Sequence, residues 1–97
     1  MVNHKNFVLL GELIGKNLGE SAKSRLVYKL LNYVNTEDRD AFINEILREL
    51  ALIEKRGNDY YEVLEFLKNS ISEIYDNNFK KIAHIIILGI LGGEKNE

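Results

Sequence analysis

This chain predicts an all-α fold, a single compact bundle of about five helices spanning residues 1–97. Three observations carry that expectation. Apolar residues recur at three- and four-residue steps along nearly the whole length. No proline interrupts them, so every break must come from glycine, caps or polar clusters. Hydrophobic residues make up 45% and charged residues 29%, a globular balance that excludes a disordered chain. Ninety-seven residues suffice for one thin core that partner surfaces would help to complete.

The first helix is expected over 6–18. Phe7, Leu10, Ile14 and Leu18 form its stripe, and Gly11, Gly15 and Gly19 lie beside it, four residues apart. An interior glycine costs a helix about 1 kcal/mol relative to alanine, so the spacing implies close approach by another helix, with Gly19 as the stop. A second helix is expected over 22–34 with Ser21 as N-cap and Leu26, Val27, Leu30, Leu31 and Val34 inward. The third has the clearest ends. Thr36 is the expected N-cap, Glu37 and Asp38 suit the positive end of the dipole, and Lys55, Arg56 and Gly57 close it. Its core stripe is Phe42, Ile43, Ile46, Leu47, Leu50 and Ile53, and Leu52 points away.

A fourth helix begins at Asp59, with Glu62 completing a capping box. Val63, Leu64, Phe66, Leu67 and Ile71 are its apolar positions. It weakens after Ser70, and residues 75–78 (YDNN) read as a turn. The fifth runs from about Asn78 to Gly92 and Gly93. Phe79, Ile82, Ile86 and Ile90 share a face, but Ile85, Ile87, Leu88 and Leu91 make it apolar nearly all round. Such a helix is central or covered by a partner. Three consecutive isoleucines also suit a strand, yet a lone strand has no ladder partner, and helix is preferred.

Charge is unevenly spread. Residues 1–30 are net +3, residues 31–62 net −4 and residues 63–97 net −1, within a chain of net −2. Residues 16–29 (KNLGESAKSRLVYK) hold Lys16, Lys23, Arg25 and Lys29 against Glu20 alone. Helical spacing puts Arg25, Tyr28, Lys29 and Asn32 on one face, with Lys23 near the edge of the apolar face. Cations flanking an aromatic ring suit a nucleic-acid backbone with bases nearby, bound without sequence preference and sensitive to salt. The same pattern also occurs on solvated helices that bind nothing.

Catalytic chemistry is not expected. Ser21, Ser24, Ser70 and Ser72 lack a nucleophile-elbow context. His4 and His84 have no metal-ligand spacing, and there is no cysteine, hence no disulfide or thiolate site. The acids Glu37, Asp38, Asp40, Glu45, Glu49 and Glu54 alternate with Arg39, Arg48, Lys55 and Arg56, which reads as a solvated face of ion pairs. The glycine stretch lacks the ending of a phosphate loop. No metal or cofactor is expected. Residues 7–10 are too short an apolar run for a signal peptide, and residues 85–91 too short to span a bilayer, so a cytoplasmic protein is expected.

Four segments in order carry a resemblance: L-L-G-E-L-I-G-K (9–16), S-R-L-V-Y-K-L-L-N (24–32), F-I-N-E-I-L-R-E-L (42–50) and F-K-K-I-A-H-I-I-I-L-G-I-L-G (79–92). Together they resemble the C-terminal helical region of the large subunit of type I CRISPR Cascade complexes, of the I-B kind. In that family the region is also made as a separate small subunit from an internal start, and Met1 opens here almost directly into the first helix. The resemblance covers about residues 9–92. It implies a non-catalytic subunit that stacks with other copies of itself along the guide RNA–target DNA hybrid. Such a subunit contacts the large and backbone subunits and helps hold the displaced strand. The matching basic positions are Lys16, Arg25 and Lys29, with Lys23 adjacent; Arg48, Lys80 and Lys81 form a second tier, and Tyr28 lies among the first. The acidic middle departs from a uniformly basic binder and is expected to meet basic neighbours. The alternatives are a helical dimerisation module without nucleic acid, using the glycine ridge and the fifth helix, and a small subunit of a type III CRISPR effector.

Overall fold

A computed structural model describes residues 4–76 and 78–93. Among them five helices follow in order: α1 (His4–Lys16), α2 (Glu20–Thr36), α3 (Arg39–Ala51), α4 (Asn58–Asp76) and α5 (Phe79–Gly92), with no strand. The isoleucine run is therefore helical.

Each expected stripe supplies the core, with corrections at its edges. Phe7, Leu10, Ile14 and Leu18 are buried, as are Leu26, Leu30, Val34, Phe42, Ile46 and Leu50. Phe79, Ile82, Ile86 and Ile90 bury completely from α5, and Phe42 meets Phe79 edge to face at 5.3 Å between centroids. Leu31 and Leu47, expected inside, are exposed. Each lies one position beyond a buried residue, Leu30 or Ile46, which a 100° turn carries to the rim. On α4, Leu64, Phe66 and Ile71 are only half-buried, whereas Tyr60 and Ile74 are fully packed.

The glycine expectation holds at Gly11 and Gly15 and is completed from the other end of the chain. Gly11 lies against Gly89, and Gly15 against Gly93, so α1 and α5 run parallel with backbones in contact. A Cβ on Gly89 would sit 2.5 Å from the Val8 carbonyl oxygen, and one on Gly93 2.5 Å from that of Glu12. Methyl groups on Gly11 and Gly15 would run into the Ile86 and Ile90 carbonyls. Gly19 takes no part: α1 ends at Lys16, and Gly19 is the N-cap of α2, with no side-chain cap. Ser21 is thus inside α2 and does not cap it.

The α2–α3 junction is tighter than expected. Thr36 closes α2, its hydroxyl donating to Asn32 O at 3.3 Å, and Asp38 caps α3 by accepting from the Ala41 N–H at 3.0 Å. Glu37 turns the corner in the left-handed region, φ 54, with its N–H on Val34 O, while the Asp38 N–H returns to Tyr33 O. Both Thr and Asp suit an N-cap; the left-handed residue between them decides for Asp38. α3 stops at Ala51, short of Gly57. Arg56 closes that end, donating to Ala51 O at 2.9 Å and Ile53 O at 3.0 Å, with its guanidinium over the Tyr60 ring.

α4 starts at Asn58, so Asp59 sits in its first turn and is not its cap. It continues past Ser70, whose hydroxyl is satisfied within the helix by Phe66 O at 2.8 Å. The expected turn at 75–78 shrinks accordingly. Tyr75 is still helical and hydrogen-bonds Asp40, and Asn78 caps α5 through the Lys81 N–H; residue 77 lies outside the described residues.

Candidate nucleic-acid interface

α2 and α3 pack side by side, and the outer edge of their contact is polar. Glu45 and Glu49, four apart on α3, face α2 and are each only 3% exposed. Opposite them α2 presents Arg25, Lys29 and Tyr33 at four-residue steps, so the two helices form a ladder. Arg25 grips Glu49 with two parallel bonds, Nε to Oε1 at 2.9 Å and Nη2 to Oε2 at 3.0 Å. Such a fork matches the planes of guanidinium and carboxylate and is the strong form of the ion pair. Lys29 Nζ lies 3.6 Å from Glu45 Oε2, the Tyr33 hydroxyl donates to Glu45 Oε1 at 3.2 Å, and Arg48 reaches the same oxygen at 4.0 Å.

The pairs are asymmetric. The carboxylates are enclosed, while the Arg25 and Lys29 side chains remain 48% and 40% exposed and Arg48 more so. Cations therefore rim the seam and anions floor it. The ladder also shifts protonation. The hydrogen bond to Glu49 and the charge of that carboxylate raise Arg25 above its ordinary value. Burial raises Tyr33, reinforced by its bond to Glu45 and that residue's charge.

Tyr28, between Arg25 and Lys29 in sequence, is on the outer face of α2 beside Arg25 and is 73% exposed. Arg25, Lys29 and Arg48 are brought together on the seam, and Tyr28 lies one turn along α2 from Arg25, on its solvent side. Lys16 is exposed at the end of α1, where a polar groove of about 390 Å³ runs past Lys55 and Asp59. A second groove, of about 450 Å³, shares Asn17, Ile53 and Lys55 with the first and reaches Arg25 and Glu49. Lys55 therefore connects Lys16 to Arg25, a role its position near a helix end did not reveal.

Three expected residues are placed elsewhere. Lys23 is buried, 4% exposed, with its ammonium on the Gly93 carbonyl and 3.5 Å from Glu20. It closes the C-terminal end of α5, where a cation meets the negative end of the dipole, and has no place on an outer basic face. Lys80 and Lys81 are exposed in the first turn of α5. Because α1 and α5 run parallel, that turn lies some 18 Å along the axis from Gly93 and the Lys16 end. The acids at positions 45 and 49, read as a solvated face, are instead the enclosed half of the site. Their four-residue spacing matches that of Arg25 and Lys29, but only the packing of α3 on α2 sets them apart from the other acids of that helix.

His4 and His84 are both exposed, and no cluster of metal-ligating side chains exists among the described residues. No helix among them is long and apolar enough to cross a membrane. No family model, curated protein or solved structure matches the chain.

Proposed function

We propose that this chain is a non-catalytic nucleic-acid-contacting subunit, the small subunit of a type I CRISPR Cascade complex. The single observation that carries the nucleic-acid part is Tyr28. A tyrosine standing out from a helix beside Arg25 offers a stacking plane next to a phosphate partner. The Cascade part rests on the resemblance in the order of the four segments and in their apolar positions and glycines; the segments fall on four of the five helices. In this reading, Arg25, Lys29, Arg48 and Lys16 contact phosphates and Tyr28 stacks on a base. Target DNA, guide RNA, the large and backbone subunits and further copies of the chain are the partners, in the cytoplasm. The face is weak alone, because two carboxylates offset half of the charge of its four cations. Repetition along an assembly makes weak contacts sufficient through effective concentration.

A salt titration of single-stranded DNA binding, on the free chain and on the assembled complex, tests the proposal. Binding that weakens with salt and falls in Tyr28→Ala supports it; binding by the complex indifferent to salt and to Tyr28 contradicts it. Reversal of Arg25 to glutamate is the poorer probe, since it presses a second carboxylate against enclosed Glu49 and disturbs the seam itself.

One observation favours a second reading, a protein–protein module. Leu88 and Leu91, three apart on α5, are 68% and 55% exposed on a helix whose other face is buried. Leu88→Lys that abolishes complex assembly while leaving oligonucleotide binding by the free chain intact assigns that face to protein contacts alone.

A further inference from the structure

We propose that Glu45 and Glu49 are built-in competitors of phosphate, setting how tightly and how salt-dependently the α2 cations bind a single strand; this rests on the nucleic-acid reading above. The argument starts from the asymmetry of the ladder. Both carboxylates are fixed, being enclosed between α2 and α3, while Arg25 and Lys29 are half exposed. A phosphate arriving at the rim therefore finds each cation already engaged from below by an anion that cannot leave. It must share the cation or draw it away.

Drawing it away is costly, because the carboxylate left behind is enclosed and unpaired. Glu49 would lose both of its bonds at once, since Arg25 supplies them as a fork. Glu45 is less tightly held. Its Oε2 has no hydrogen-bond partner, with Lys29 3.6 Å away, and its Oε1 keeps Tyr33 whether or not Lys29 moves. Lys29 is thus the cation released first, and Arg25 is held back. Isolated contacts are rejected, and only a strand that also stacks on Tyr28 and reaches Arg48 gains enough. The carboxylates make the face selective for a strand presented in register.

The second consequence concerns salt. Condensed counterions sit on the strand and leave as its phosphates are neutralised; a cation that shares its charge with a carboxylate neutralises a phosphate only in part, so its contact adds little to the salt slope. Freed cations contribute about 0.7 each to that slope on single strands.

The test is fluorescence anisotropy of the full chain with a short labelled oligonucleotide of mixed sequence, at several salt concentrations. Glu45→Gln with Glu49→Gln keeps both side chains' shape and one acceptor oxygen on each while removing the charge. The control is Glu62→Gln with Glu65→Gln, exposed positions on α4 that change net charge equally. The seam variant is expected to bind about tenfold tighter at low salt, with a slope steeper by about 1.4, and the control to match wild type in slope. Equal gains in seam and control variants overturn the inference, leaving only a global charge effect. Weaker binding by the seam variant also overturns it, because the carboxylates then orient Arg25 for phosphate. If wild type and every variant fail to bind, in the free chain and in the assembled complex, the nucleic-acid reading fails and this inference with it. Where circular dichroism shows the double variant unfolded, Glu45→Gln alone serves, with half the slope change expected.

Discussion

The α1–α5 and α2–α3 seams solve the same problem, joining two helices, by opposite means. α1 and α5 meet through Gly11, Gly15, Gly89 and Gly93, with backbone against backbone at those positions. α2 and α3 meet through a ladder of charges whose anions are enclosed and whose cations reach solvent. The glycine seam has no adjustable group; nothing in it can respond to a ligand. The charged seam can exchange partners without opening the bundle. On the proposed reading, fold and function are divided between two helix pairs, and Lys23 on α2 joins the pairs by closing the end of α5.

The largest effect separating the seams is steric. Gly11→Ala places a methyl group on the Ile86 carbonyl, so α1 and α5 must move apart and loosen Phe7, Ile14 and Ile90 together. A loss of about 3 kcal/mol is expected, the upper part of the range for overpacking, out of a total on the order of 5–15 kcal/mol for a domain of this size. Chemical denaturation measures it. A loss below about 0.5 kcal/mol would mean that the close approach is not required, since that is the scale of ordinary surface changes.

The glycine seam was half legible in the sequence. Gly11 and Gly15 announce a close approach by their four-residue spacing on an apolar stripe. Their partners were hidden, because Gly89 interrupts an isoleucine-rich run and Gly93 resembles a plain helix stop. The charged seam was legible only on its cationic side. Arg25 and Lys29 stood out beside Tyr28, whereas Glu45 and Glu49 looked like ordinary surface acids on a helix rich in them. Burial is a property of how α3 lies on α2, and no local pattern states it. Lys23 failed for a related reason. Its place in the first turn of α2, at the edge of the apolar face, suits both solvent and core, and the arrival of Gly93 decides. Helix ends shifted where two capping residues competed, as at Thr36 and Asp38.

Next in size is a change of function without a change of fold. Tyr28→Ala removes an exposed ring, so stability is expected to stay within about 0.5 kcal/mol. Oligonucleotide affinity is expected to fall about tenfold, the scale of one lost base stack. Loss of affinity together with stability would move Tyr28 from ligand contact to packing.

A smaller effect appears at alkaline pH. Tyr33 holds its proton to higher pH when folded than when unfolded, so the folded state binds more protons once the unfolded phenol ionises near pH 10.0. This stabilisation is complete below that point and is lost as pH rises through the raised folded value. The melting temperature of wild type should therefore fall faster above about pH 10 than that of Tyr33→Phe. Identical slopes would separate Tyr33 from the charged seam.

The smallest effect has the opposite sign from the first. Gly92 ends α5 in ordinary helical territory with open space around its would-be Cβ. Gly92→Ala should raise stability by about 0.5 kcal/mol, measured as for Gly11→Ala. A loss there would extend the glycine seam by one position.

The most direct measurement of the division between seams is a nuclear magnetic resonance titration of the isotope-labelled chain with single-stranded DNA. Resonances of Arg25, Tyr28, Lys29 and Arg48 should shift together as DNA is added, while the amides of Gly11, Gly15 and Gly89 stay in place. Shifts centred on Leu88 and Leu91, with the Tyr28 ring unmoved, would contradict the account.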